Sequence, residues 1–393
     1  MNKHKIVSLS FFSGLLVLCT GFYLALHPVM AQGLKVYRGK DNLNWPSPAF
    51  YKGEKTVFVI ASNEGTEMFD LMAPFYLFNA TGQANVYVVS EEKAPVLLVN
   101  SLFILPHYSF REIDSLGIQP DVIVVPNLTV HLKSPPRPST VAWVRKQYTG
   151  KNILLAICDG AATAAATGLY DGLPITTHSS DWGKLEKLYP RGDWKKGLSY
   201  TRSGNLYSTA GVSNATEGSL AVIEAMFGQE TMLKVMREVR YPHAEVKTGH
   251  ANETVSAAAI ATIVKKVLFK HDRDLGVLLQ EGADEFELGS VLDTYSRTFP
   301  ASLNTFALDG GSVSSKFGLT LLPTGNLQVG RLDELHILRP ETFPGEAACP
   351  IEYRELVEYG ETPKYPFEVC LDRIGSLYGH GFRKAVKLTL DYN

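Results

Sequence analysis

The chain has 393 residues, with 38 Lys and Arg against 40 Asp and Glu, which gives a formal net charge of −2 at pH 7. Hydrophobic residues make up 45% and charged residues 20%, as in globular proteins, which argues against bulk disorder. The length suits about two domains, and the absence of a long basic run argues against a nucleic-acid partner.

The N-terminal residues 1–31 have the pattern of an export segment. Lys3 and Lys5 precede an uncharged apolar run over 6–26, and the small residue Ala31 suits signal-peptidase cleavage. The run is also long enough to span a bilayer about 30 Å thick, so a retained membrane anchor is the alternative to a cleaved signal peptide. The positive charges place the N-terminus in the cytoplasm in both cases. We therefore expect an exported protein, either periplasmic or anchored at the outer face of the inner membrane.

Short apolar runs alternate with helical patterns along the rest of the chain. The apolar runs predict parallel strands buried on both faces, at 56–61, 86–90, 122–126 and 153–157. Helical patterns cover 67–82, 138–149, 161–167, 218–240 and 253–270. This alternation predicts an α/β fold, a three-layer sandwich with a mainly parallel sheet.

The domain boundaries follow from the same pattern. Residues 32–54 have no period and predict a linker, and the main α/β domain covers 55–240. A helical connector over 241–283 precedes a segment at 284–340 that repeats the helix, break and strand of the main domain. We predict a partial, degenerate second copy there, followed by a C-terminal extension over 341–393. Two unrelated α/β stretches of similar composition are the alternative.

Cys158 is the first candidate reactive residue, because it directly follows a predicted strand and precedes an Ala-rich helix. Parallel sheets carry function at the carboxyl ends of their strands. The N–H groups and dipole of the following helix predict a lowered thiol pKa, and the Asp159 N–H is a candidate oxyanion donor. The adjacent Asp159 carboxylate acts in the opposite sense. The alternative is that Cys158 is a small buried core residue.

The remaining cysteines and histidines carry weaker signals. An oxidising compartment would let Cys349 and Cys370 pair and leave Cys158 as a free thiol, although all three could also be core residues. The other histidines show no metal-ligand spacing, at His107, His131, His243, His250, His271, His336 and His380. No phosphate-binding or dinucleotide fingerprint occurs. We therefore expect neither a metal nor an organic cofactor.

The segment at 153–190 resembles the nucleophile elbow of the DJ-1/PfpI superfamily, which is class I glutamine amidotransferase-like. The matching positions are Cys158, Gly160, Ala161, Gly168, Leu169, Asp171, Gly172, Thr176, Thr177, His178, Tyr189 and Pro190. Residues 69–78 and 203–228 resemble further family segments, so the resemblance covers about 55–240. It is closest to the amidase-like N-terminal domain of AraC-type regulators, but 341–393 contain no helix-turn-helix pattern. The resemblance implies a flavodoxin-like fold and a homodimer.

The resemblance also implies roles for individual residues. Cys158 would be the nucleophile, Asp70 the carboxyl group that exchanges protons with it, and His178 the partner of a Cys-His pair. By themselves, Asp70 suits a helix-start carboxylate and His178 a core or turn histidine. Asn127 stands where relatives have glycines that line the oxyanion site, and Asp159 replaces Thr or His; both departures disfavour an efficient hydrolase.

Three functions remain open at this point. The first is a cysteine-dependent hydrolase, hydratase or amidase-like enzyme that acts on a small molecule. The second is a sensor or binding module outside the cytoplasm, in which Cys158 lies in a ligand pocket or is reversibly oxidised. The third is an inert structural protein with the same fold.

Overall fold

A computed structural model describes residues 35–39, 43, 45, 48–99, 101–128, 135–269, 272–327, 330–360 and 362–392. The predicted export segment over 1–31 and parts of the predicted linker lie outside these residues, as do His131 and His271. Within the described ranges, none of the helices has the length and apolar character needed to cross a membrane.

The strands and helices are numbered in chain order. The strands are β1 (Lys55–Ala61), β2 (Ala84–Ser90), β3 (Val96–Leu98), β4 (Leu102–Ile104), β5 (Tyr108–Ser109), β6 (Val122–Val125), β7 (Ile153–Ala156), β8 (Pro174–Ile175), β9 (Asp193–Trp194), β10 (Tyr200–Ser203), β11 (Leu206–Thr209), β12 (Asp274–Leu278), β13 (Ser302–Phe306), β14 (Val313–Ser314), β15 (Thr320–Leu322), β16 (Leu332–Ile337) and β17 (Tyr353–Glu358). The α-helices are α1 (Met68–Ala80), α2 (Phe110–Leu116), α3 (Pro138–Gln147), α4 (Gly160–Ala166), α5 (Trp182–Leu188), α6 (Ala215–Phe227), α7 (Gln229–Glu238), α8 (Ala257–Phe269), α9 (Glu285–Ser296), α10 (Pro366–Tyr378) and α11 (His380–Thr389).

The first sheet has seven strands in the order β10-β11-β7-β6-β1-β2-β5. Neighbouring strands are parallel except for the antiparallel pair β10 and β11. Side chains of β1 alternate between two cores, with Val57 and Val59 on one face and Phe58 and Ile60 on the other. Helices α1, α6 and α7 cover the first face, and α2, α3, α4 and α5 cover the second. The predicted three-layer sandwich with a mainly parallel sheet is confirmed.

A second sheet has four parallel strands in the order β13-β12-β16-β17. Strand β12 lies in the predicted connector and β17 in the predicted C-terminal extension, so the second unit extends beyond 284–340 on both sides. The sequence pattern does not predict β17, because this edge strand carries the exposed residues Arg354 and Glu355, which interrupt its apolar pattern. Helices α9, α10 and α11 contribute to the core on one face.

The helix predicted over 218–240 is in fact two helices, α6 and α7. Gly228 separates them with a φ of 85°, a left-handed conformation that glycine adopts without strain. The turn directs α7 to pack beside α6, and Met232 and Val235 of α7 join the core of the first sheet.

The two units share a core and a small sheet. The hairpin of β3 and β4 pairs with that of β14 and β15, where Leu321 faces Ile104 in antiparallel register. Helices α1 and α9 pack so closely that a Cβ atom on Gly289 would lie 3.1 Å from the Cβ of Met72 and 3.4 Å from a ring carbon of Phe69. The units therefore face each other through their first helices.

The considered disulfide between Cys349 and Cys370 is not formed. Both residues are free thiols, and Cys370 is fully buried while Cys349 is half-buried. They belong to different regions of the core, Cys370 facing the first unit and Cys349 lying on the opposite face of the second sheet.

Candidate functional site

Cys158 lies on the turn between β7 and α4, as the sequence predicts. Its φ is 54°, a strained left-handed conformation for a residue with a side chain, which costs about 1 kcal/mol or more. Gly160 permits the turn, because a Cβ atom there would lie 2.1 Å from the Val125 carbonyl oxygen. The Cys158 N–H donates to Thr209 Oγ1 at 3.2 Å, which fixes the strained residue to β11.

Asp70 in the first turn of α1 lies beside Cys158 and is fully buried. The Asn127 N–H donates to Asp70 Oδ2 at 3.0 Å, while Oδ1 has no hydrogen-bond partner among the described residues. Burial raises the pKa of Asp70 well above its usual range, although the Asn127 N–H opposes this effect. The site therefore holds, next to the sulfur, a carboxyl group that binds its proton more tightly than an ordinary aspartic acid does.

The predicted lowering of the Cys158 pKa is wrong, because the structure raises it well above the ordinary value. Burial is the largest cause, and the carboxylates of Asp70, Asp159 and Glu67 add to it. The Asp159 N–H donates to the sulfur and acts in the opposite direction. Helix α4 has only seven residues, and its N-terminal N–H groups do not offset burial at 2% exposure among three carboxyl groups.

Asn127 does not offer the oxyanion donor that its position suggested. Its N–H is used by Asp70, and its carbonyl oxygen accepts the Glu67 N–H at 2.9 Å. Asn127 therefore positions the carboxyl groups of α1, and the Asp159 N–H is the backbone donor that reaches the sulfur.

His178 is near the elbow but is not paired with Cys158 by any hydrogen bond among the described residues. Its Nδ1 accepts the Ser180 N–H at 3.1 Å, and its Nε2 lies 3.3 Å from the Thr389 carbonyl oxygen. These contacts suit a neutral ring with the proton on Nε2. The ring therefore holds the loop to the C-terminal segment, and the predicted Cys-His pair is not formed.

Asp159 acts on the sulfur and also interacts with the charges of Asp181 and His178. Burial and the Asp181 carboxylate raise the Asp159 pKa to about 6, and His178 and the Thr177 hydroxyl act in the opposite direction. Thr177 Oγ1 lies 2.7 Å from Asp159 Oδ1 and 3.0 Å from the Cys158 carbonyl oxygen. The Asp159 side chain is thus used to hold the turn in place.

The second unit contributes a guanidinium group that the sequence argument missed. Arg297, just after α9, forms ion pairs with Glu67 at 2.6 Å and Asp293 at 2.9 Å. Burial opposes the charge of Arg297, but Asp293 and Glu67 outweigh burial and raise its pKa, with smaller contributions from Cys158 and Asp70. Arg297 could have been found only by placing the second copy face to face with the first, since it lies at the end of the repeated helix.

The C-terminal segment covers the loop that follows the elbow. Asp391 Oδ2 accepts hydrogen bonds from the Ser179 N–H at 2.9 Å and from its hydroxyl at 3.0 Å. The Asp391 carbonyl oxygen accepts from the Ser213 hydroxyl at 3.0 Å, next to the start of α6. The site of the first unit is therefore completed by two parts of the second, Arg297 and this segment.

A tyrosine stands at the described position of the second unit that corresponds to Cys158. In the first unit, the strand register aligns Val59 with Val124 and Val124 with Leu155. In the second unit, it aligns Gly276 with Leu335 and Leu335 with Leu356. Leu356 therefore corresponds to Leu155, so Tyr359 takes the position of Cys158 and Glu287 that of Asp70. Tyr359 is buried and its hydroxyl lies 3.0 Å from His336 Nδ1.

A parallel sheet with helices on both faces, a cysteine on a strained strand-to-helix turn and a buried carboxyl group beside it defines a class of α/β proteins. Residues 55–225 match the model of the DJ-1/PfpI family, and this domain of the chain belongs to that family. The match ends before the second unit begins.

Individual relatives are distant. The chain is 23% identical over 194 residues to an isonitrile hydratase from Pseudomonas putida, which covers 49% of this chain and 82% of the relative. It is 24% identical over 185 residues to a Parkinson disease protein 7 homolog from Danio rerio, which covers 47% of this chain and 95% of the relative. The crystal structure of Drosophila melanogaster DJ-1beta matches 48% of this chain and all of its own, with 21% identity and a TM-score of 0.43.

Proposed function

We propose that the chain is an enzyme that performs cysteine-dependent chemistry on a small molecule, with Cys158 as nucleophile and Asp70 as the group that exchanges protons with it. The DJ-1/PfpI family includes hydratase and protease-like enzymes. The observation that carries the proposal is the buried Asp70 carboxyl group, with its raised pKa, beside a thiol held on a strained turn. Burial favours the protonated form of both groups, so Asp70 is suited to donate a proton as the Cys158 sulfur forms a bond.

Hydration of an isonitrile is a reaction that suits this pair. Asp70 would protonate the isonitrile carbon while Cys158 forms a C–S bond to it, and the thiol proton would return to Asp70. Water would then add across the C=N bond of this thioimidate, with its hydroxyl group on carbon and one proton on nitrogen. The C–S bond would break as the hydroxyl proton moves to sulfur. The product is an N-substituted formamide, so one water is consumed and both protein groups are regenerated.

Turnover of cyclohexyl isocyanide by the purified protein tests the proposal. We expect formamide formation, measured by NMR, to be lost in Cys158→Ser and in Asp70→Asn. Cys349→Ser, which removes a half-buried thiol elsewhere, should retain full activity. Ester and amide probes would extend the test to hydrolysis. Equal turnover of any probe by wild type and Cys158→Ser would contradict the proposal.

A binding module without turnover is the second candidate, and two observations favour it. The His178 ring contacts backbone groups and the Asn127 N–H donates to Asp70, so neither His178 as a base nor Asn127 as an oxyanion donor is available to a substrate. A saturable ligand that protects Cys158 from alkylation but is recovered unchanged would support this candidate. Catalytic conversion of that ligand would exclude it.

We further propose that the chain is exported, on the basis of the charged and apolar pattern of residues 1–31. Fractionation of producing cells followed by N-terminal sequencing tests this. A soluble periplasmic protein that begins after Ala31 indicates a signal peptide, and an intact N-terminus in the membrane fraction indicates an anchor. Recovery from the cytoplasm would contradict export.

A further inference from the structure

Helix α8 exposes large apolar side chains and buries a charged one. Ile260, Leu268 and Phe269 are 42%, 49% and 79% exposed. Lys266, in contrast, is 4% exposed, and its ammonium group forms an ion pair with Asp272 at 2.8 Å. A surface helix normally turns its apolar residues inward and its charges outward. Helix α8 therefore presents an apolar face that the described part of the chain does not cover.

The exposed apolar residues lie on one side of α8. Ile260, Val264 and Leu268 are spaced by four residues, so they follow one another along the helix, and Ala261 is exposed next to this row. Lys265 is the only charged residue that α8 exposes. Contiguous apolar patches with a charged border mark contacts with another molecule or with a membrane.

Helix α11 packs beside this face and adds positive charge. A Cβ atom on Gly381 would lie 3.9 Å from Thr262 Cγ2, so the start of α11 lies against the middle of α8. Lys384 is exposed one turn later on the same side of α11. Neither Lys265 nor Lys384 forms an ion pair with a described residue, and neither helix contains an aspartate or a glutamate. The apolar face is thus bordered by positive charge alone.

The charges decide which partner suits this face. A second copy of the chain that docked through the same face would bring Lys265 and Lys384 towards their own counterparts, without an acidic residue to pair with them. A bilayer that contains anionic lipids offers an apolar interior for Ile260, Leu268 and Phe269 and negative headgroups for the two lysines. This combination is typical of helices that lie in a membrane interface.

We propose that α8 and α11 bind the surface of a bilayer that contains anionic phospholipids. Leu268 and Phe269 would insert among the acyl chains, with Lys265 and Lys384 beside the headgroups. The contact needs neither Cys158 nor the N-terminal export segment, so it goes beyond the proposed function. It would apply to the cleaved and to the anchored form of the chain alike.

Tryptophan fluorescence of Phe269→Trp in the presence of lipid vesicles tests the proposal. The protein, with the N-terminus that producing cells yield, is mixed with vesicles of phosphatidylcholine that contain one third phosphatidylglycerol. A phosphatidylcholine brominated on its acyl chains serves as the quencher. We expect the introduced indole to emit at shorter wavelength and to be quenched. Leu188→Trp, at a 58% exposed position on α5, is the matched control and should show neither change.

Charge variants in the Phe269→Trp background give a second readout. Lys265→Gln and Lys384→Gln should each raise the lipid concentration needed for half-maximal quenching by about fivefold, the factor expected for one lysine at an anionic surface. Lys151→Gln, at an exposed lysine in the turn before β7, is the control and should have no effect. Vesicles of phosphatidylcholine alone should quench the indole less, as should high salt, because both remove the attraction between the lysines and the headgroups.

Three results would overturn the proposal. These are an introduced indole at position 269 that brominated lipid does not quench, equal quenching in Leu188→Trp, and unchanged vesicle binding in both lysine variants. A shift in emission that needs no vesicles and grows with protein concentration would assign the face to a second copy of the chain, and would also overturn it. None of these results bears on the chemistry proposed for Cys158, which the turnover of cyclohexyl isocyanide tests separately.

Discussion

At the scale of single residues, burial decides the chemistry of this site more than the helix dipole does. The sequence places Cys158 on its turn and Asp70 at the start of α1, and the structure brings the two together. The sequence points to two of the three carboxyl groups that act on the sulfur, Asp70 and Asp159, but not to Glu67, which resembles an ordinary N-terminal helix residue. The thiol pKa is therefore raised and not lowered.

Replacement of Asp70 by Asn should make the thiol more reactive while it abolishes turnover. Among the charges near Cys158, the Asp70 carboxylate raises the thiol pKa most, so its removal should shift the alkylation midpoint to lower pH. The rate of iodoacetamide alkylation against pH measures this shift. Asp181→Asn, a carboxylate that acts on Asp159, is the control. A midpoint that stays in place in Asp70→Asn would show that the two side chains are not coupled.

Glu285 should make the protein less stable as pH rises. Burial raises its pKa to about 7, although the Ser315 hydroxyl and the Phe317 N–H oppose this. A carboxyl group whose pKa is higher in the folded state stabilises fully below its unfolded pKa, and this contribution is lost as pH rises towards 7. This loss lowers the free energy of unfolding by up to about 3 kcal/mol, and we expect it to be absent in Glu285→Gln.

Urea unfolding of Glu285→Gln between pH 4.5 and 8 checks this expectation. The difference in the free energy of unfolding between wild type and variant should move in favour of the variant as pH rises. Glu230→Gln, at an exposed position on α7, should follow the wild-type curve. Parallel curves for Glu285→Gln and wild type would contradict the raised pKa.

At the scale of elements, the close contact of α1 and α9 holds the two units in register. Gly289 faces Met72 and Phe69, and a Cβ atom at this point would crowd both side chains, so the glycine helps α9 to approach α1 closely. The same contact places the start of α1, with Glu67 and Asp70, against the end of α9, with Asp293 and Arg297.

Replacement of Gly289 by Val should destabilise the protein by about 1–3 kcal/mol, because the added side chain overpacks the helix contact. Urea unfolding measures the loss. The matched control is Gly183→Ala on α5, where a Cβ atom meets nothing within 4 Å and should be neutral or slightly stabilising. Equal stability of Gly289→Val and wild type would show that the helices can separate without cost.

The elements that the sequence predicted well are those buried on both faces. Strands β1, β2, β6 and β7 appear as continuous apolar runs, and the elbow after β7 is recognisable from its Cys-x-Gly-Ala pattern. Strand β17 is not predicted because Arg354 and Glu355 interrupt its apolar pattern, and the sequence pattern does not show that Gly228 separates α6 from α7. The repeat predicted over 284–340 includes β13 and β16 of the second sheet but neither the interior strand β12 nor the edge strand β17.

At the scale of the whole molecule, the two units of this chain pack against each other through an extensive internal contact. DJ-1 family homologues are commonly dimeric. Here α1 faces α9 of the same chain, and the two hairpins share one sheet. The homodimer implied by resemblance stays a prediction, and it would need a surface other than this one. The pairing also explains why Arg297 could not be predicted from either half alone.

Arg297→Met should destabilise the protein by about 3–5 kcal/mol, because it leaves Glu67 and Asp293 without their buried cation. Thermal and urea unfolding measure this. Arg354→Met removes an exposed ion pair with Asp333, 3.2 Å apart with Arg354 64% exposed, and should cost less than about 1 kcal/mol. Equal losses of stability in the two variants would mean that the buried ion pairs of Arg297 stabilise the protein no more than an exposed ion pair does.

The position of Asp391 near the C-terminal end of the chain determines when the first unit can complete its fold during synthesis. Its carboxylate and carbonyl groups hold Ser179 and Ser213 of the first unit, yet the ribosome adds Asp391 only after the whole second unit. Domains usually fold one after another during synthesis. Here the loop after the elbow lacks its contacts with Asp391 until translation has passed that residue, so the first unit can fix this loop only after the second unit has been synthesised.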